Sequence, residues 1–142
     1  MKAAIVDTGV WYAMFSKRDP YHPQAKINEE YFSIFTIVLP WPIIYETLRS
    51  KFVKNFDALK LFENFLKKPN LEFVEDNLFR KKAFELSLHS SLRLKRPLSM
   101  HDCLIRIMIE DKNLNIKGLF TFNDKDFLDV CTQNNVEIIS IP

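Results

Sequence analysis

Apolar and polar positions fall into blocks of two kinds along this chain. Short apolar runs read as buried strands over residues 3–6, 34–39, 118–122 and 136–141, with a weaker candidate at 71–74. Longer stretches between them carry helical spacing. Residues 56–66 are the clearest, with Phe56, Leu59, Phe62 and Leu66 on one face and charges between them. Helices are also predicted to open over 10–15 and to run over 23–32 after the break at Asp19-Pro20. Others are expected from Pro42 to about residue 52, over 78–94 and 99–112, and around 127–133. The stretch 99–112 is apolar on most sides, as a buried helix is. Strands separated by helices of this length predict a parallel sheet covered on both faces. In such sheets ligands sit outside the carboxyl ends of the strands.

The polar residues at those ends carry the candidate chemistry. Asp7 follows the first run, and Asn123, Asp124 and Asp126 follow Gly118-Leu119-Phe120-Thr121-Phe122. Glu46 and Asp102 fall near the starts of two apolar helical stretches. Each has an ordinary structural reading. Asp7 or Thr8 can cap the first helix, and Glu46 can pair with Arg49 three positions on. Ser99-Met100-His101-Asp102 is a capping-box pattern, and Asp102 can also reach Arg106 at i+4. One residue of the Asn123–Asp126 segment serves as a helix cap, but three are not needed. Together, carboxylates gathered at one sheet edge repel one another and favour a divalent cation. That points to metal-dependent chemistry on phosphate esters.

Composition narrows the choice. The 142 residues suit one domain spanning 1–142, with 47% hydrophobic and 27% charged residues, as in a soluble globular protein. No apolar run is long enough to span a membrane, and the N-terminus lacks a signal-peptide pattern. With only Cys103 and Cys131, neither a disulfide framework nor a zinc site is expected, so a cytoplasmic location is. Two glycines, Gly9 and Gly118, are too few for a phosphate-cradling loop or a dinucleotide fingerprint. Setting Asp7, Glu46, Asp102 and Asp126 aside leaves 14 of the 18 acids against 20 Lys and Arg, a mild basic excess that suits a polyanion.

Three other hydrolase patterns fail. Asp7-Thr8-Gly9 matches the aspartic-protease tripeptide, but that chemistry needs two such aspartates and the helical pattern opposes an all-β fold. A haloacid-dehalogenase-type phosphatase wants a second Asp where Gly9 stands. Ser99, His101 and Asp102 lie too close on one helical turn for a catalytic relay.

The chain resembles the PIN-domain family and, within it, the VapC-like ribonuclease toxins. The matching pieces are Ile5-Val6-Asp7-Thr8, Ile43-Ile44-Tyr45-Glu46-Thr47-Leu48-Arg49, Leu98-Ser99-Met100-His101-Asp102-Cys103-Leu104-Ile105 and Thr121-Phe122-Asn123-Asp124-Lys125-Asp126-Phe127. The resemblance implies an α/β fold, a three-layer α/β/α domain with a central parallel sheet. It implies a Mg²⁺- or Mn²⁺-dependent endoribonuclease with Asp7, Glu46, Asp102 and Asp126 as catalytic acids. Asp7, Asp102, Asp126 and Asn123 would be the metal ligands, with Thr8, Ser99, Thr121 and Asp124 as hydrogen-bonding neighbours. Asn123 replaces an acid, which leaves one charge fewer for a second ion. Arg49, Lys51, Arg93, Lys95 and Arg96 are candidates for gripping the RNA backbone. The resemblance also implies a small antitoxin protein as partner and a homodimer; Trp11, Tyr12, Trp41 and Tyr45 are candidates for an interface, although core packing explains most of the aromatic content. The alternative is a catalytically silent module of the same fold that binds RNA or protein.

Overall fold

The computed structural model of the chain describes residues 2–139. Five strands form one sheet: β1 (Ala3–Val6), β2 (Thr36–Pro40), β3 (Leu71–Val74), β4 (Ile116–Phe120) and β5 (Glu137–Ile139). The order is β3-β2-β1-β4-β5 and every pairing is parallel. Eight α-helices among the described residues connect and cover the strands: α1 (Thr8–Phe15), α2 (His22–Asn28), α3 (Trp41–Thr47), α4 (Ser50–Val53), α5 (Phe56–Phe65), α6 (Arg80–Leu92), α7 (Met100–Glu110) and α8 (Leu128–Gln133). The expected three-layer α/β/α architecture is the one observed. β1 is buried at every position, as a central strand covered on both faces must be.

The core on the α1 side is aromatic. The Trp11 ring meets Phe62, Phe65 and Phe32 edge-on, with centroids 5.4, 5.6 and 5.9 Å apart. Phe32 also meets Phe120 of β4 at 4.4 Å. Edge-to-face pairs of this kind contribute about 0.5–1.5 kcal/mol each beyond burial. Gly118 lets the layers close: a Cβ there would lie 2.9 Å from the Phe35 ring and 3.3 Å from Ala4.

Four predicted elements differ most from the observed ones. The helix expected over 23–32 is α-helical only to Asn28, then tightens to a 3-10 turn over Glu29–Ile34. That turn puts Phe32 into the aromatic core, 3% exposed. The helix expected to run from Pro42 to about 52 is cut at Leu48, whose ψ of 43° leaves the helical region. Arg49 is then extended and starts α4, its carbonyl accepting from the Phe52 and Val53 amides. β4 begins at Ile116 rather than 118 and ends at Phe120, because Ala4, Ile5 and Val6 pair with Gly118, Leu119 and Phe120. The closing strand expected over 136–141 is observed as Glu137–Ile139, and its last two predicted residues lie outside the described residues.

The chain moves from β1 outward to β3, then returns to place β4 on the other side of β1. The crevice at the carboxyl ends of β1 and β4 is therefore the point where strand order reverses, where ligands of open α/β sheets bind.

Candidate active site

Asp7 and Thr121 leave that crevice side by side. Val6 pairs with Phe120, and the Asp7 amide donates to the Phe120 carbonyl at 2.9 Å. The Thr121 hydroxyl donates to Asp7 Oδ2 at 3.0 Å, and the Thr8 amide donates to Asp7 Oδ1 at 2.8 Å. Asp7 thus caps α1 while its carboxylate is fixed from the neighbouring strand. The same Thr121 oxygen accepts from the Asn123 amide at 3.1 Å, which turns the chain away from β4. Asn123 Nδ2 donates to the Asp126 carboxylate, joining the two ends of a 3-10 turn over Asp124–Asp126. Asp124 is exposed on that turn.

α7 supplies the facing wall. The Ser99 hydroxyl accepts from the Asp102 amide at 3.1 Å, so Ser99 is the N-cap and Asp102 an acid in the first turn. Burial raises the Asp102 pKa above its ordinary value. The charge of Asp7 raises it further and that of Asp126 adds to it, against opposing effects of His101 and Ser99. Asp102 therefore feels both other aspartates.

His101 closes the fourth side, a role that sequence reasoning missed by weighing it only as part of a Ser-His-Asp relay. Its Nε2 lies 2.9 Å from Asp7 Oδ1 and its Nδ1 2.7 Å from Glu46 Oε2. An imidazolium at this position, with a proton on each ring nitrogen, would donate to both carboxylates. Burial by itself would lower the His101 pKa. The hydrogen bond to Asp7 and the charges of Asp7, Glu46 and Asp102 outweigh it and raise the value. The signal available in sequence was the position of this histidine directly before Asp102. Glu46 thus takes its partner from α7 rather than Arg49. Arg106 pairs with Asp129 at 2.7 Å, not with Asp102.

Asp7, Thr8, Tyr12, Glu46, Ser99 and Asp102, with His101 between Asp7 and Glu46, line one cleft of about 410 Å³. Asp19, not singled out from sequence, lines it too. Arg49 and Lys51 stand on its rim, and Lys51 Nζ sits 4.5 Å over the Tyr12 ring. The other basic candidates lie elsewhere: Arg93 and Lys95 are exposed where α6 ends, and Arg96 pairs with Asp129 at 3.1 Å.

The donor set fits a hard divalent cation. It consists of carboxylate oxygens whose repulsion adds to burial in raising the Asp102 pKa, and it includes an orphan: among the described residues, the Thr8 hydroxyl is buried in the cleft wall without a hydrogen-bond partner. Among the described residues, no three His, Cys, Asp or Glu side chains form a ready-made metal cluster. His101 and Asn123 hold Asp7, Glu46 and Asp126 instead.

The all-parallel five-stranded sheet, in the order β3-β2-β1-β4-β5, carries carboxylates at its switch point. Among solved structures, Mycobacterium tuberculosis VapC20, described as a sarcin-ricin loop cleaving toxin, aligns with a TM-score of 0.68. The alignment covers 89% of this chain and 94% of that one, at 15% sequence identity. The chain has a VapC-like PIN fold. No protein-family model matches the sequence, and no curated protein matches it.

Proposed function

We propose that the protein is a Mg²⁺- or Mn²⁺-dependent endoribonuclease, the toxin of a VapBC-type toxin–antitoxin pair. One observation carries the reading: Asp7, Glu46 and Asp102 line a single cleft at the sheet's switch point, with Asp126 close enough to raise the pKa of Asp102. The fold shared with a sarcin-ricin loop cleaving toxin supports RNA as the substrate.

Asp7, Asp102 and Asp126 would hold the cation, with Asn123 as a neutral donor. A divalent ion held there supplies charge stabilisation of the phosphoryl oxygens and acidity to the attacking water. The chain's own residues do the rest. Thr121 and the Thr8 amide keep Asp7 in one orientation, and the Ser99 cap orients the first turn that carries Asp102. Glu46 orients the water that attacks phosphorus, and His101 is hydrogen-bonded to the same carboxylate. Arg49 and Lys51 draw the flanking phosphates onto the rim.

A small antitoxin as partner and a homodimer belong to the same reading. The exposed Tyr45, Leu48 and Phe56 and the apolar groove lined by Leu48, Phe56, Leu59 and Leu66 support it. The free, buried Cys103 and Cys131 suit a reducing, cytoplasmic compartment. Among the described residues no helix is long and apolar enough to cross a membrane. A second reading, a silent RNA-binding module, is favoured by one feature: His101 already pairs with both Asp7 and Glu46.

End-labelled RNA incubated with the purified protein and Mn²⁺ or Mg²⁺ separates the two. Cleavage that needs the ion and falls by about 100-fold or more in Asp7→Asn is the expected result. Tight RNA binding with no cleavage under either ion would establish the silent module.

A further inference from the structure

Arg106 is a guanidinium where the fold asks for an apolar residue. It lies one turn beyond Asp102 on α7, between the buried Ile105 and the half-buried Ile107, with its side chain only 12% exposed. Burying a guanidinium is expensive where a donor goes unmatched, and among the described residues the Arg106 Nε has no hydrogen-bond partner. If α8 needed only to be fastened to α7, the buried Cys103, Val130 and Cys131 on those helices offer the cheaper, apolar way. The partners of Arg106 show what else it does. Nη1 donates to Asp129 Oδ1 at 2.8 Å and Nη2 to Asp129 Oδ2 at 2.7 Å, a bidentate pair that fixes the plane of the guanidinium. Arg96 donates to the same carboxylate from the surface side. So held, Nη1 also donates at 2.8 Å to the main-chain carbonyl of Asp126.

We propose that Arg106 is a positioning residue. Clamped by Asp129, its guanidinium anchors the backbone of Asp126 to α7 and so sets the distance between the Asp126 carboxylate and Asp102. The inference rests on the metal-dependent nuclease reading above. Among the described residues, the Asp126 side chain has one hydrogen-bond tether, from Asn123 in its own exposed turn. Arg106 is the link from that turn to the helix that carries Asp102. A lysine cannot replace it, because a single ammonium cannot hold both carboxylate oxygens and the carbonyl in one plane.

The test measures Mn²⁺ binding to the full chain by the loss of the free-ion EPR signal, which needs no turnover. Arg106→Lys is expected to weaken Mn²⁺ binding about 10-fold or more, as supporting residues of metal sites do. It should lower kcat for RNA cleavage while leaving KM unchanged. In an Asp126→Asn background the same substitution should change Mn²⁺ affinity by less than about 2-fold, since the carboxylate charge it positions has gone. Asp129→Asn, which keeps the guanidinium but loosens its clamp, should give a partial loss and serves if Arg106→Lys does not fold. Wild-type affinity in both variants would overturn the proposal. So would a loss that adds in full to that of Asp126→Asn, which is what a purely structural arginine would produce. A wild-type protein that neither binds Mn²⁺ nor cleaves RNA would remove the nuclease reading itself, and the proposal with it, before any variant is compared.

Discussion

Thr121 serves two neighbours through one buried hydroxyl, donating to Asp7 and accepting from the Asn123 amide. Thr121→Val keeps the shape and removes both bonds. The part-buried Asn123 amide and one Asp7 oxygen then lose a partner, at a cost of about 1 kcal/mol or more. Urea unfolding should show that loss, and cleavage should fall with it; a variant as stable as wild type would mean that water replaces the hydroxyl. Gly118 makes the opposite kind of prediction. Gly118→Ala forces a methyl against the Phe35 ring at 2.9 Å and the Ala4 side chain at 3.3 Å. The Phe35 ring must yield, and overpacking of this sort costs about 1–3 kcal/mol in thermal or urea melts. Legibility at this scale was uneven. Asp7 and Asn123 follow apolar runs, so a parallel sheet brings them to one edge by topology alone, whereas Thr121 lies inside the run predicted over 118–122. His101 stands beside Asp102 in the sequence, yet successive side chains in a helix diverge by about 100°. Which of the two meets Asp7 depends on how α7 rolls against the sheet, and no local pattern encodes that roll.

Helices here are positioned by polar contacts at their ends as much as by apolar faces. α7 begins at the Ser99 cap, and its middle is tied to α8 through Arg106 and Asp129. The hydrogen bond from Arg106, then the pair with Arg96, hold the Asp129 pKa well below its ordinary value of 3.8, against the opposing effect of burial. A carboxylate depressed in the folded state stabilises it fully above the unfolded pKa, and that contribution is lost as pH falls below it. The stability difference between wild type and Asp129→Asn should therefore be largest near neutral pH and shrink below about pH 4. Urea midpoints measured across the acid range check this; a constant difference would mean that the pair does not contribute through charge. Element boundaries were readable where apolar spacing and prolines agree, as at Leu71–Val74, where strand and prediction coincide. They were not readable at Leu48, where apolar spacing continues but the helix stops. The reason is tertiary: Thr47 and Phe52 are both buried, and in a straight helix side chains five positions apart diverge by about 140°. A straight helix could not bury both, and the break carries Arg49 and Lys51 to the cleft.

For the molecule as a whole, the alternation of apolar runs with helical stretches was enough to read a parallel α/β/α sandwich, because a strand buried on both faces admits few other partners. The path of a polyanion across it was not readable, since Lys and Arg are spread along the chain and sequence does not say which share a face. The structure divides them. Arg49 and Lys51 flank the acidic cleft, while Arg96 is drawn to Asp129 and Arg93 and Lys95 project from the end of α6. If RNA enters along the Arg49 and Lys51 rim, each cation neutralises one phosphate. Single-stranded RNA then releases about 0.7 of a counterion per contact. Replacing both with alanine should flatten the slope of log affinity against log salt by about 1.4. Replacing Arg93 and Lys95 should leave that slope nearly unchanged. The measurement is best made with Asp7→Asn, so that RNA is bound without being cut, over roughly 50 to 200 mM salt. Equal flattening by the two pairs would show that the phosphates run along both faces, and the cleft rim would lose its claim to be the entry path.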